Sequence, residues 1–155
     1  MTSQTIPVDP FDFIVFGGTG DLSERKLIPA LYQRQRAGQF SEPTRIIGAS
    51  RTKFSSEEFQ AFARKAIDEH VAGEEHDATE IDAFIARLSY VPVDAKTGEG
   101  FAELAAMIGD SEAVRVFYLA VAPGLFDDIA QQQLRADAYD LRFHVCSSPV
   151  LKSVA

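Results

Sequence analysis

Apolar residues fall into short runs separated by turn residues, and the period changes from run to run. Phe11 to Phe16 is apolar except for Asp12 and stops at Gly17-Gly18, which is how a short strand buried in a parallel sheet reads. From Leu22 to about Arg36 the residues Leu27, Ile28, Ala30, Leu31 and Tyr32 recur at helical spacing, and Gly38 supplies the stop. Arg45 to Ala49 gives a second strand. Ser55 and Glu58 form a capping box opening a helix whose Phe59, Phe62, Ala63, Ala66 and Ile67 share a face.

The alternation continues after a polar stretch, Ala72 to Thr79, that reads as a loop. Ile81, Phe84, Ile85 and Leu88 mark a helix, Ser89 to Val93 a strand, and Phe101, Leu104, Ala105 and Ile108 a further helix. Val114 to Val121 is the most strand-like run and ends at Ala122-Pro123-Gly124; a helix from about Leu125 to Leu134 follows. There is no internal repeat and no low-complexity linker. Strands alternating with helices predict an α/β fold with a doubly wound, mostly parallel sheet, right-handed crossovers and a ligand site at the strands' carboxyl ends.

Composition narrows the function. At 155 residues, 46% hydrophobic and 25% charged, the chain has the make-up of one globular domain. A net charge of −8 with no basic run argues against nucleic acid. No window of about 18 apolar residues exists, and MTSQTIPVDP lacks the basic and apolar regions of a signal peptide. A soluble, cytoplasmic protein without membrane partners is expected. Cys146 is the lone cysteine, which excludes an intrachain disulfide. His70 and His76 lie among Glu69, Glu74 and Glu75, a solvated charge cluster rather than a metal site; no metal is expected.

Candidate chemistry centres on Gly17-Gly18-Thr19-Gly20-Asp21-Leu22, placed between the first strand and the first helix. Glycines there let the backbone turn sharply and approach a pyrophosphate, and the helix start offers unpaired N–H groups. Ser23 occupies the place of the third glycine of the general fingerprint, so the motif is a variant. NAD-preferring domains end the second strand on an acidic residue that takes the ribose 2′-hydroxyl; this strand ends Gly48-Ala49-Ser50-Arg51. Arg51 is suited to a 2′-phosphate, with Ser50 or Thr52 as a supporting hydroxyl, which favours NADP. Val121-Ala122-Pro123 is either a secondary cofactor contact at Ala122 or a simple strand stop.

Phe13-Ile14-Val15-Phe16-Gly17-Gly18-Thr19-Gly20-Asp21-Leu22, then Arg25-Lys26-Leu27 and Pro29-Ala30-Leu31-Tyr32, resembles the opening of glucose-6-phosphate dehydrogenases. Ile47 to Arg51 and Phe117 to Pro123 resemble that family's second strand and a later strand with its turn. The matches run in order from about residue 11 to 130. The resemblance implies oxidation of glucose 6-phosphate at C1 to the 6-phosphogluconolactone with NADP as hydride acceptor, the dinucleotide turn at Gly17 to Leu22, and the 2′-phosphate on Arg51. Lys26 matches a family lysine on the substrate side of the crevice; a solvated helix residue is the competing reading.

The resemblance then stops. Where the family runs a strand into E-K-P-x-G, this chain has Arg142-Phe143-His144-Val145-Cys146-Ser147-Ser148-Pro149, and the family's later R-I-D-H-Y-L-G-K, with its general-base histidine, is not reached. Nothing around His144 resembles that motif. The expected organisation is therefore an NADP-binding domain over residues 1–136 and an atypical tail over 137–155, the product of a frameshift or an early gene break. No catalytic residue is assigned, and glucose 6-phosphate is expected as a substrate only in a full-length relative. Two functional classes follow: the cofactor part of a dehydrogenase, or a non-catalytic remnant that binds nucleotide or stays partly unfolded; in either case sheet surface left exposed by truncation is expected to promote self-association. A short-chain or sugar-nucleotide epimerase type is disfavoured, because none of Tyr32, Tyr90, Tyr118 or Tyr139 has a lysine four residues on.

Overall fold

A computed structural model describes residues 8–71, 77–136 and 144–146. Its elements are β1 (Phe11–Phe16), α1 (Ile28–Arg36), β2 (Arg45–Ser50), α2 (Ser56–His70), α3 (Ala78–Ile85), β3 (Leu88–Pro92), α4 (Phe101–Ile108), β4 (Val114–Leu119), α5 (Phe126–Ala136) and β5 (His144–Cys146). The strands form one parallel sheet in the order β3-β2-β1-β4-β5. The chain builds outward from β1 through β2 to β3, then crosses to the other side of β1 to lay down β4. That reversal makes the β1–β4 junction the switch point, where such sheets open a crevice at their carboxyl ends.

Period-two alternation sends successive strand residues to opposite faces, and each face has its own core. Ile46, Leu88 and Tyr90 pack under α1, α2 and α3 with Tyr32, Phe59, Ile67 and Phe84. Ile14, Phe16, Ile47, Ala49 and Phe117 pack under α4 and α5 with Phe101, Leu104, Ile108 and Ile129. Helices on both faces explain why β1 and β2 read as continuous apolar runs. Strand β4 is less covered, and Val114 is 54% exposed.

Most predicted elements are present, with shifted limits. The capping box is complete: the Ser55 hydroxyl accepts from the Glu58 N–H, and the Glu58 carboxylate accepts from the Ser55 N–H. Leu88 belongs to β3 rather than to the preceding helix, which ends at Ile85 with Arg87 N–H turning back to the Phe84 carbonyl; an apolar residue at helical spacing after a turn carries the same pattern as one inside it. Of the predicted loop, residues 72–76 lie outside the described residues. Asp77 caps α3 by accepting from Thr79 N–H, so Ala78 and Thr79 are helical. The β4 strand stops at Leu119, although Ala120 N–H still donates to the Phe16 carbonyl. A single 3-10 turn, Pro123–Leu125, precedes α5. The expected boundary near 136 and the tail after it fall largely outside the described residues.

Candidate functional site

The first helix opens at Asp21 with an α-type bond, from Glu24 N–H to the Gly20 carbonyl at 3.0 Å, and then widens. Between the glycine turn and α1, Ser23–Leu27 form a π-helical turn, a widened geometry that is uncommon and frequent at functional sites. Gly17 leaves β1 with φ +84°, and a Cβ there would stand 2.2 Å from the Ala120 carbonyl oxygen; only glycine fits a turn pressed so closely on β4. Gly17 N–H donates to the Ala49 carbonyl at 2.8 Å, and Gly20 N–H returns to the Gly17 carbonyl at 2.9 Å. Ser23 is 0% exposed and donates its hydroxyl to the Gly17 carbonyl at 2.8 Å. The residue at the third fingerprint position thus braces the first glycine of the turn.

At the carboxyl ends of the strands a cleft of about 360 Å³ opens, floored by Phe16 and Ala49 and walled by the glycine turn, the end of β2, the segment after β3 and the segment after β4. Gly17, Thr19, Gly20, Ser50, Arg51 and Ala122 line it, as does Thr52. Six of the predicted cofactor residues, drawn from separate parts of the sequence, are therefore brought to one concavity. Gly18 is buried behind the turn, where a Cβ would lie 3.1 Å from Gly48 Cα. Asp21 and Leu22 are exposed outside the cleft lining, Asp21 pairing with Arg25 at 2.6 Å. Lys26 is exposed in the π-helical turn and does not line the cleft either.

A set of hydroxyls joins the glycine turn to the second strand. Thr19 Oγ1 lies 2.7 Å from Ser50 Oγ and 2.9 Å from Thr52 Oγ1, and Ser50 Oγ lies 2.7 Å from Tyr90 Oη. The Tyr90 hydroxyl also reaches the Thr52 carbonyl at 2.7 Å. Burial raises the Tyr90 phenol above its usual pKa, against the hydrogen bonds from Ser50, Thr19 and Thr52, so the group is a neutral donor at physiological pH. Sequence reasoning missed Tyr90 as part of the site, and it missed Val93 to Lys96, which form the wall after β3. Tyr90 carried one signal: a polar-tipped residue in an otherwise apolar strand end.

Among the described residues, carboxylate and imidazole atoms of Glu24, Glu69 and His70 lie within 4.8 Å of one another. Glu69 is exposed and the other two are half-buried; His70 is assigned no role. No helix of the described residues is long and apolar enough to cross a membrane.

A parallel sheet reversing at β1–β4, with a glycine turn and an arginine at adjoining strand ends, defines a Rossmann-like domain. Residues 14–143 match the family described as glucose-6-phosphate dehydrogenase, NAD binding domain, and the chain belongs to that family. It is 53% identical over 133 residues to glucose-6-phosphate 1-dehydrogenase of Rhizobium meliloti, an alignment covering 85% of this chain and 27% of that protein. The enzyme of Mycolicibacterium smegmatis is 41% identical over 134 residues, with coverage of 83% and 27%. The crystal structure of glucose-6-phosphate 1-dehydrogenase from Mycobacterium avium superposes with a TM-score of 0.73 at 30% identity, covering 83% of this chain and 27% of that one. A glucose-6-phosphate dehydrogenase in complex with its substrate glucose-6-phosphate gives 0.72 at 29% identity, with coverage of 87% and 29%. The chain thus spans about a quarter of the length of these relatives.

Proposed function

We propose that this chain is the coenzyme-binding part of an NADP-linked glucose-6-phosphate dehydrogenase, and that the cleft at the β1–β4 switch point takes the dinucleotide. The observation that carries the reading is the convergence of Gly17, Thr19 and Gly20 with Ser50, Arg51 and Thr52 on one concavity. The residues present fit such a group: the glycine turn lines the cleft and leads straight into a helix start, whose N–H groups and dipole favour a pyrophosphate. The adjoining strand end offers a guanidinium and hydroxyls where an NAD-selective site would place a carboxylate. When bound, the nicotinamide would accept the hydride from C1 of glucose 6-phosphate. The glycine turn, Gly17 to Leu22, would hold the diphosphate, and Arg51 would clamp the 2′-phosphate. Phe16, Ala122 and Leu125 exclude water from the apolar part of the cleft. Lys26 would serve the sugar-phosphate side, outside the cofactor cleft.

Calorimetric titration of the purified chain with NADP and NAD, beside an Arg51→Ala variant, tests the reading. Saturable binding that favours NADP, and a loss of roughly tenfold or more in NADP affinity without Arg51, is the expected outcome for removing a charge-assisted clamp. An NADP affinity left unchanged by the substitution would refute the assignment of Arg51.

A further inference from the structure

We propose that Tyr90 is a positioning residue for cofactor selectivity: its phenol fixes the direction of the hydrogen bonds that hold Ser50-Arg51-Thr52 at the lip of the cleft. The proposal rests on the assignment of Arg51 made above and adds to it the device that aims that residue.

Elementary proton accounting sets the direction. Tyr90 Oη stands 2.7 Å from the Thr52 carbonyl oxygen and 3.2 Å from the Ser50 carbonyl oxygen. Carbonyls only accept, so the single phenol proton is committed to them. The 2.7 Å contact between Tyr90 Oη and Ser50 Oγ must then be filled by the serine proton. With that proton used, the 2.7 Å contact between Ser50 Oγ and Thr19 Oγ1 is filled by the threonine, and Ser50 Oγ also accepts from Thr52 N–H at 3.4 Å. Bonds therefore run one way, from Thr19 of the glycine turn through Ser50 to Tyr90 and on to the backbone of Thr52. The carbonyls of both residues flanking Arg51 accept from one phenol of the neighbouring strand, alongside Val93 N–H on Ser50 and Phe54 N–H on Thr52, and Tyr90 itself is 4% exposed and fixed by its ring against Phe59, with centroids 5.1 Å apart.

Such a device matters for a ligand carrying a 2′-phosphate and little for one lacking it, because Arg51 engages only the former. Replacement by phenylalanine keeps the ring packing and deletes the hydroxyl alone. The test is titration of the full purified chain with NADP and with NAD for wild type, Tyr90→Phe, Ser50→Ala, the double variant and Arg51→Ala. Tyr90→Phe is expected to weaken NADP roughly five- to tenfold, the scale of one lost hydrogen bond, and to leave NAD within about twofold. Ser50→Ala should do the same, and the double variant should be no worse than the poorer single, since both cut one chain. Equal weakening toward both nucleotides would show a merely structural tyrosine and overturn the proposal, as would an unchanged NADP preference in Tyr90→Phe. If Arg51→Ala abolishes the preference while Tyr90→Phe keeps it, only the role of Tyr90 falls. If wild type shows no preference, the Arg51 reading falls and this one with it.

Discussion

Asp12 is the polar interruption in the first strand, and its replacement gives a sharp energetic test. It is 1% exposed, and its two oxygens each accept a 2.7 Å bond from Arg45, through Nε and Nη2. Arg45 donates further to the carbonyls of Met107 at 3.0 Å and Ile108 at 2.9 Å, the carbonyl end of α4, where a cation is favoured by the helix dipole. Donating to the Asp12 carboxylate raises the arginine's pKa further above its usual value. One fork thus ties β1, β2 and the end of α4 together below the sheet's amino-terminal edge.

The two halves of the pair are not equally buried, and that asymmetry sets the magnitudes. Arg45→Met strands a buried carboxylate and two helix-end carbonyls, the situation in which breaking a buried pair costs about 3–5 kcal/mol. Asp12→Ala strands instead a guanidinium whose side chain is 37% exposed and keeps both carbonyl partners. Water replaces much of what is lost, and we discount the cost to about 2 kcal/mol. For a domain of this size each kcal/mol shifts the midpoint by about 2–4 °C, so Arg45→Met should melt well below Asp12→Ala. Urea unfolding followed by circular dichroism gives the two free energies directly. Equal losses, or a larger loss for Asp12→Ala, would refute the argument from burial.

Two further outcomes follow from the same structure. Gly17→Ala combines a backbone at φ +84° with a Cβ 2.2 Å from the Ala120 oxygen; it should cost more than about 2 kcal/mol and abolish nucleotide binding, and near wild-type stability in urea would contradict the close fit of the chain after β4 on the turn. Burial raises the phenols of Tyr90 and Tyr32 in the folded state above their ordinary value of 10.0. The unfolded chain then releases these protons first, so the stability they contribute is full below about pH 10 and is lost as pH rises through the folded pKa values. Urea midpoints between about pH 8 and 11.5 should fall at the alkaline end, less steeply in Tyr90→Phe; identical slopes would count against burial as the cause.

Most of what was legible in the sequence rested on local signals. Phe11 to Phe16, apart from Asp12, and Ile46 to Ala49 are apolar because both faces of the sheet are covered, and Ser55 with Glu58 sits three residues apart because a capping box closes over that distance. The glycine turn was legible as a turn for the same reason, marked by the strand before it and the helix after it in the chain. Tyr90 was not legible as a site residue. Its partners Ser50 and Thr52 lie 40 and 38 residues away, and only the parallel pairing of β2 with β3, with Gly48 opposite Tyr90, brings them together. The same holds for Asp12, whose charge in a buried strand has no rationale until Arg45 appears beside it in the register of β1 with β2.

Ser23 shows how a departure from a motif can be explained once the backbone is known. The general fingerprint places a third glycine there so that helix and strand can pack closely. Here the helix widens into a π turn over Ser23–Leu27, and a side chain is accommodated at that place. Ser23 is fully buried, and its hydroxyl bonds the Gly17 carbonyl, the same oxygen that accepts from Gly20 N–H. Two donors on one carbonyl hold the turn from both its ends. The serine and the π turn are thus parts of one arrangement, and the turn is held without a third glycine.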